Sequence, residues 1–172
     1  MYILINGSFG IGKSTVAREL RSRLPGSVIF DPECVGLVLQ RLPGGRVSDF
    51  QDLVSWRRLS VLGARSFGAM RRAVIIPMTF SNRSYLSEVT SGLARSGRPV
   101  LHFCLTAPLE VVRRRLKQRG EPEGDPQWSW VHQRAAECCA AHQSLEFETR
   151  VPACERSPTA IAAELAFRIS GR

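Results

Sequence analysis

Residues Gly7-Ser8-Phe9-Gly10-Ile11-Gly12-Lys13-Ser14 satisfy the pattern G-x-x-x-x-G-K-[ST]. The apolar run Tyr2-Ile3-Leu4-Ile5-Asn6 precedes them, and helical apolar spacing at Val16, Leu20 and Leu24 follows. A strand that feeds a glycine-rich loop and then a helix constrains the fold more than any other feature of the chain. Its physics is specific: the glycines let successive N–H groups turn inward as an anion nest, capped by the positive end of the following helix. Gly7, Gly10, Ile11 and Gly12 would form that cradle, Lys13 would reach the outer phosphates, Ser14 would offer its hydroxyl to Mg²⁺, and Thr15 would sit near the inner phosphates. The competing reading is a glycine-rich turn without a ligand, against which the flanking strand and helix argue. All but two of the 24 basic residues are arginine, and one of the two lysines is Lys13.

Further along, buried strands are expected at Ser27–Phe30, Ala73–Met78 and Pro99–Leu105, with a weak one at Phe147–Val151. Helices are expected at Thr15–Leu24, over much of 33–72 with a break at Pro43-Gly44-Gly45, and at Ser84–Ser96, Pro108–Arg119, Trp130–Leu145 and Thr159–Ile169. This alternation predicts an α/β fold of three layers, a five-stranded parallel sheet covered on both faces, with ligands at the carboxyl ends of the strands. The 172 residues suit one domain, and the Gly/Pro/Glu segment 120–126 reads as a connector in a short helical lid at about 115–134.

N-K-x-D and D-x-x-G motifs are missing, which argues against a GTPase, and the chain is too small for paired helicase modules. What remains is a compact kinase type, in which a small acceptor faces ATP beneath a lid. Among only four aspartates, Asp31 ends a strand at the ligand edge, where it would receive or position the acceptor proton, assist Mg²⁺ through water, or cap the next helix. Glu33 reads either as an acceptor-site group or as a solvated helix-start glutamate. Arg57 reads as an acceptor or γ-phosphate clamp, or as a surface ion pair, and Trp56 as core. Thr79 stands where many P-loop proteins keep a metal-associated aspartate, and would hold a metal water. Arg115 and Arg119 share a helix face and would meet phosphate and adenine, or face solvent, with Arg134 as a partner across the lid. Cys138, Cys139 and His142 read as helix packing rather than a metal site, and His102 as a satisfied core histidine.

The net charge of +9 favours an anionic partner, but nucleic acid is not expected: the basic residues concentrate beside the lid and no interleaved aromatic platform occurs. Five cysteines in no secreted framework imply reduced thiols, no apolar run approaches the ~20 residues of a membrane span, and a cytoplasmic protein is expected.

Asn6-Gly7 with the glycine loop, Asp31-Pro32-Glu33, Asp49-Phe50-Gln51, Trp56-Arg57, Pro77-Met78-Thr79, Arg115-Leu116 with Arg119, and Ser129-Trp130 together resemble the tunicamycin-resistance proteins of bacteria, over roughly residues 2–145. The resemblance implies a P-loop phosphotransferase fold, similar to chloramphenicol phosphotransferase and shikimate kinase, and a link to nucleoside-antibiotic resistance. It also implies that Asp31 is the carboxylate near the acceptor hydroxyl. The function expected is ATP- and Mg²⁺-dependent phosphorylation of a hydroxyl on a small acceptor such as tunicamycin. The alternative is an ATP-binding protein that sequesters the antibiotic without transferring phosphate.

Overall fold

Three long apolar segments, buried on both faces along most of their length, assemble with two short edge strands into one parallel sheet. The computed structural model describes residues 1–39, 49–144, 147 and 149–171. The expected break at 43–45 and the expected helix end at Leu145 lie outside them. The strands are β1 (Tyr2–Gly7), β2 (Ser27–Ile29), β3 (Ala73–Met78), β4 (Val100–Thr106) and β5 (Arg150–Pro152), in the spatial order β2-β3-β1-β4-β5. Every pair is parallel, with β1 central and in register Ile3↔Ile75 on one side and Ile3↔Leu101 on the other.

Helices cover both faces because alternate strand residues are apolar on both sides. Ile3, Ile5, Ile75 and Phe103 pack on Val16 and Leu20 of α1 (Lys13–Arg23) and on Ile161 and Leu165 of α7 (Pro158–Ser170). Tyr2, Leu4, Val74 and Ile76 pack on Trp56 and Ala64 of α3 (Val54–Met70) and on Leu86, Val89 and Leu93 of α4 (Arg83–Ala94). The three-layer α/β architecture is therefore as the sequence implies. A separate small cluster, Val112, Leu116, Ala135 and Cys139, joins α5 (Leu109–Gln118) to α6 (Ser129–Ala141) above the carboxyl edge. The short α2 (Glu33–Leu39) follows β2.

Pro77 shows how the sheet opens a site. The Ile75 carbonyl accepts from the Phe30 N–H at 2.9 Å, so Pro77, two residues on, faces the same side but beyond the end of β2. No ladder hydrogen bond is lost there. The strand runs past its neighbour and brings Pro77, Met78 and Thr79 to a cavity.

Candidate active site

The loop after β1 carries Gly10 at φ 70° and Gly12 at φ 104°, left-handed conformations that glycine adopts without strain. A Cβ on Gly10 would meet the Leu116 side chain at 2.8 Å, whereas one on Gly12 would meet nothing within 4 Å. Close packing on α5 thus fixes the first glycine, and open space beside the second leaves the cradle clear. Backbone N–H groups at the start of α1 face that space, which suits an anion. Ser8 ties the loop to α6 by donating from Oγ to the Ala135 carbonyl at 3.2 Å.

Lys13 bends back over its own loop. Its Nζ donates to the Ser8 carbonyl at 2.9 Å and lies 5.6 Å from the centre of the Phe9 ring. Burial pushes its ammonium down to about 8, with Arg119 adding to the effect and Cys138, Glu33 and Asp31 opposing it. Asp31, Glu33 and Arg119 are thus near enough to act on the charge of the loop lysine; Glu33 and Arg119 each line a hollow beside the loop, and Asp31 lines neither. Asp31 Oδ1 accepts from the Glu33 N–H at 2.9 Å, so this carboxylate caps the start of α2. Glu33 is solvent-accessible at the lip of the cleft, yet crowded enough that burial, then the Asp31 charge, raise its pKa. Ser14 and Thr15 are exposed in the first turn of α1.

Among the described residues, three hollows border this loop; the largest, about 830 Å³, lies beside Ser8 and Ile11 against Leu105, Pro108 and Arg150, and two smaller ones carry sequence-predicted residues. The first of these two, of about 390 Å³, is lined by Gly10, Ile11, Gly12, Thr15, Arg115 and Arg119, with Arg156 opposite. The second, of about 370 Å³, is walled by Phe9, Phe50, Trp56 and Trp130 together with Glu33, Asp49, Gln51 and Thr79. Phe9 belongs both to the loop and to that second wall, where it meets Trp130 edge-on at 5.4 Å. Trp56 donates Nε1–H to the Pro32 carbonyl at 2.9 Å and stacks on Phe50, so it is core on one side and cavity wall on the other. The Thr79 hydroxyl is buried with no hydrogen-bond partner.

The arginines divide by what holds them. Arg57 does not line the cavity, which corrects the expectation of a clamp. Its Nε donates to Glu88 at 2.6 Å, its Nη1 to the Gln51 carbonyl at 2.6 Å, and its guanidinium lies 4.0 Å from the Tyr85 ring centre. It is neither a surface ion pair nor a clamp but a buried brace behind Gln51, whose side chain bonds Asp49 and Ser81. Arg115 donates to the Ile11 carbonyl at 3.0 Å and the Ala153 carbonyl at 2.7 Å, strapping the glycine loop to the segment after β5. Arg119 forks onto Glu121 with two contacts of 2.7 Å and stays exposed at the rim of the first hollow. Arg134 binds Asp49 at 2.7 Å, Ser81 at 3.0 Å and Glu137, joining α6 to the wall of the second hollow.

Sequence reasoning did not find Phe9, Glu88, Glu121 or Arg156. Of these, only Phe9, inside the loop motif, had a local signal. Cys139 is buried among α5–α6 side chains, and Cys138 is fully buried, which pushes its thiol up to about 11. His142 Nε2 binds the Phe80 carbonyl at 2.8 Å. His102 departs from the expected satisfied core residue: its Nε2 has no hydrogen-bond partner, and burial, then Arg83, lower its pKa to about 4.

Comparison with known proteins decides the family. An AAA domain family model matches residues 3–136. The tunicamycin resistance protein of Deinococcus radiodurans is similar over 98% of this chain and 94% of its own, at 31% identity and a TM-score of 0.77. The chain belongs to the tunicamycin-resistance protein family. The same fold recurs in a gluconokinase from Sinorhizobium meliloti (15% identity, TM-score 0.64, covering 99% and 95% of the two chains). It recurs also in a shikimate kinase from Acinetobacter baumannii (17% identity, TM-score 0.55, covering 98% and 90%). No curated protein sequence matches the chain. This family member therefore has the P-loop kinase-like fold, and no described helix is long and apolar enough to cross a membrane.

Proposed function

We propose that the chain is an ATP-dependent phosphotransferase that moves the γ-phosphoryl group to a hydroxyl of a small, nucleoside-like acceptor such as tunicamycin, so giving resistance to it. The observation that carries this reading is the shared position of Phe9: the glycine loop and the aromatic cavity meet at one residue, with Glu33 on the cavity wall and Asp31 hydrogen-bonded to the Glu33 N–H. Positioning and charge stabilisation do most of the work in phosphoryl transfer, and both need this adjacency.

The open space beside Gly12 and the inward-facing amides fit a triphosphate, with Lys13 released from the Ser8 carbonyl to bind it. The hollow between Arg119 and Arg156 would take the base, Arg115 holding its floor. Ser14, with Asp31 and Thr79 through water, would hold Mg²⁺, which when bound offsets phosphate charge. The acceptor oxygen forms its bond to Pγ as the bond from Pγ to the ADP oxygen breaks, and the acceptor proton passes to Asp31. The segment 115–134 acts as a lid over the single domain 1–172, and free thiols suit a cytoplasmic protein.

A screen of hydroxyl acceptors for ADP release, with Lys13→Ala and Asp31→Asn alongside, tests the reading. Acceptor-stimulated ADP release that both variants lose supports it. Tight binding of ATP and tunicamycin with no product makes the chain a sequestering protein instead.

A further inference from the structure

The cavity beside the glycine loop has an uneven charge. Among the described residues, its wall includes the carboxylates of Glu33 and Asp49, and none of the described lysines, arginines or histidines lines it. Two arginines lie close behind, but both are committed to acidic partners: Arg57 to Glu88, and Arg134 to Asp49 and Glu137. The Arg57 head is only 6% exposed, and both Arg134 and Asp49 are 15% exposed, so neither cation is offered to a ligand. Of the cations coupled to Glu33, Arg119 is paired with Glu121, and Lys13 bonds the Ser8 carbonyl beside the Phe9 ring and does not line the cavity. Against this, the rest of the wall presents aromatic surface from Phe9, Phe50, Trp56 and Trp130, and the unpartnered Thr79 hydroxyl provides one neutral hydrogen-bonding group.

We infer that this cavity selects an uncharged, ring-bearing acceptor and rejects acceptors that carry a carboxylate. The aromatic faces bury a flat apolar ring, Thr79 meets a neutral hydroxyl, and an acid entering the cavity faces Glu33, and Asp49 which must share Arg134 with Glu137, with no unpaired cation among the described lining residues. Each of those carboxylates has a stated place: Glu33 at the lip of α2, Asp49 at the start of the 3₁₀ turn Phe50–Asp52. The selection therefore comes from how the cations are paired, since the chain as a whole is strongly basic. This inference takes from the phosphotransferase reading only that the cavity is the acceptor site.

Two probes that share a ring and a sugar, phenyl β-glucoside and phenyl β-glucuronide, differ by one carboxylate. Their binding to the full chain is followed through quenching of tryptophan fluorescence, since Trp56 and Trp130 line the cavity. At neutral pH and low salt the glucoside should bind at least about tenfold more tightly. Glu33→Gln should narrow that ratio by about threefold or more, and raising the salt should narrow it in the wild type without any mutation. Equal or tighter glucuronide binding, a ratio indifferent to both Glu33→Gln and salt, or no quenching by either probe overturns the inference. Because binding is the readout, selective binding with no ADP release would remove the phosphotransferase reading and leave the selectivity standing.

Discussion

Lys13 gives the account a proton-linked signature. In the free protein, burial lowers this ammonium from the ordinary 10.5 to about 8, and its nearest fixed partner is a neutral carbonyl, that of Ser8. A triphosphate in the cradle would supply several negative charges and return the pKa upward. At pH 8.5 about three quarters of a lysine titrating at about 8 is deprotonated, so ATP binding should take up roughly 0.7 proton. Affinity should correspondingly fall roughly tenfold between pH 7 and pH 9. The sign for folding is opposite: the folded chain holds this proton less tightly than the unfolded chain, so the lysine's contribution to stability rises with pH from about 8 towards 10.5. The neighbouring thiols do not interfere, since burial pushes Cys138 up to about 11 and Cys104 up to about 12. Met1, whose terminal amine also titrates low through burial and then Arg98, bonds Arg72 at the opposite end of β1. Calorimetry of ATP binding at pH 8.5 in two buffers of different ionisation enthalpy measures the uptake directly. Lys13→Arg, which keeps its charge at that pH, should remove the buffer dependence. A wild-type protein whose ATP enthalpy is the same in both buffers and whose affinity is flat from pH 7 to 9 refutes the assignment of Lys13 to the phosphates.

Other perturbations separate structure from chemistry. Asp31→Asn keeps a capping residue at the start of α2, so the melting temperature and ATP affinity should hold while turnover falls at least about a hundredfold; an equal fall in affinity would mark a metal or structural role. Gly12→Ala forces a side chain into a φ of 104° with open space around it, so denaturant unfolding should show a loss of about 1–2 kcal/mol while ATP binding weakens far more. Arg57→Met removes the brace from the Gln51 carbonyl and Glu88, and urea unfolding should report a loss of about 2 kcal/mol with ATP affinity kept; a loss of ATP affinity alone would return Arg57 to the phosphates. Arg115→Ala should weaken ATP binding by loosening the loop from Ala153, which binding at equal protein stability would reveal.

The sheet was legible because its strands are buried on both faces. Ala73–Met78 reads as a strand and is one, to the residue. The last strand was less clear. Phe147 reads as its start, but it packs edge-on against His142 at 4.8 Å, and among the described residues the bonding to β4 runs from the Thr149 carbonyl onward. An apolar plug and an apolar strand residue carry the same sequence signal. The glycine loop and the cap at Asp31 are readable because both signals are local, a motif and a strand end followed by a helix. Arg57 was not, because the residue that holds it, Glu88, is 31 positions away and on another helix. Arg115 was placed on the correct helix face, but its carbonyl partners come from two distant loops that only the fold brings together.

The central claim is that phosphate leaves a nucleotide held at Lys13 for a hydroxyl held near Asp31. Transfer of a γ-phosphate label from ATP to an acceptor, followed side by side in the wild type and Asp31→Asn, tests it most directly. The wild type should yield a labelled acceptor and the variant almost none, at matched ATP affinity. Saturating ATP and bound acceptor with no labelled product from the wild type would contradict it.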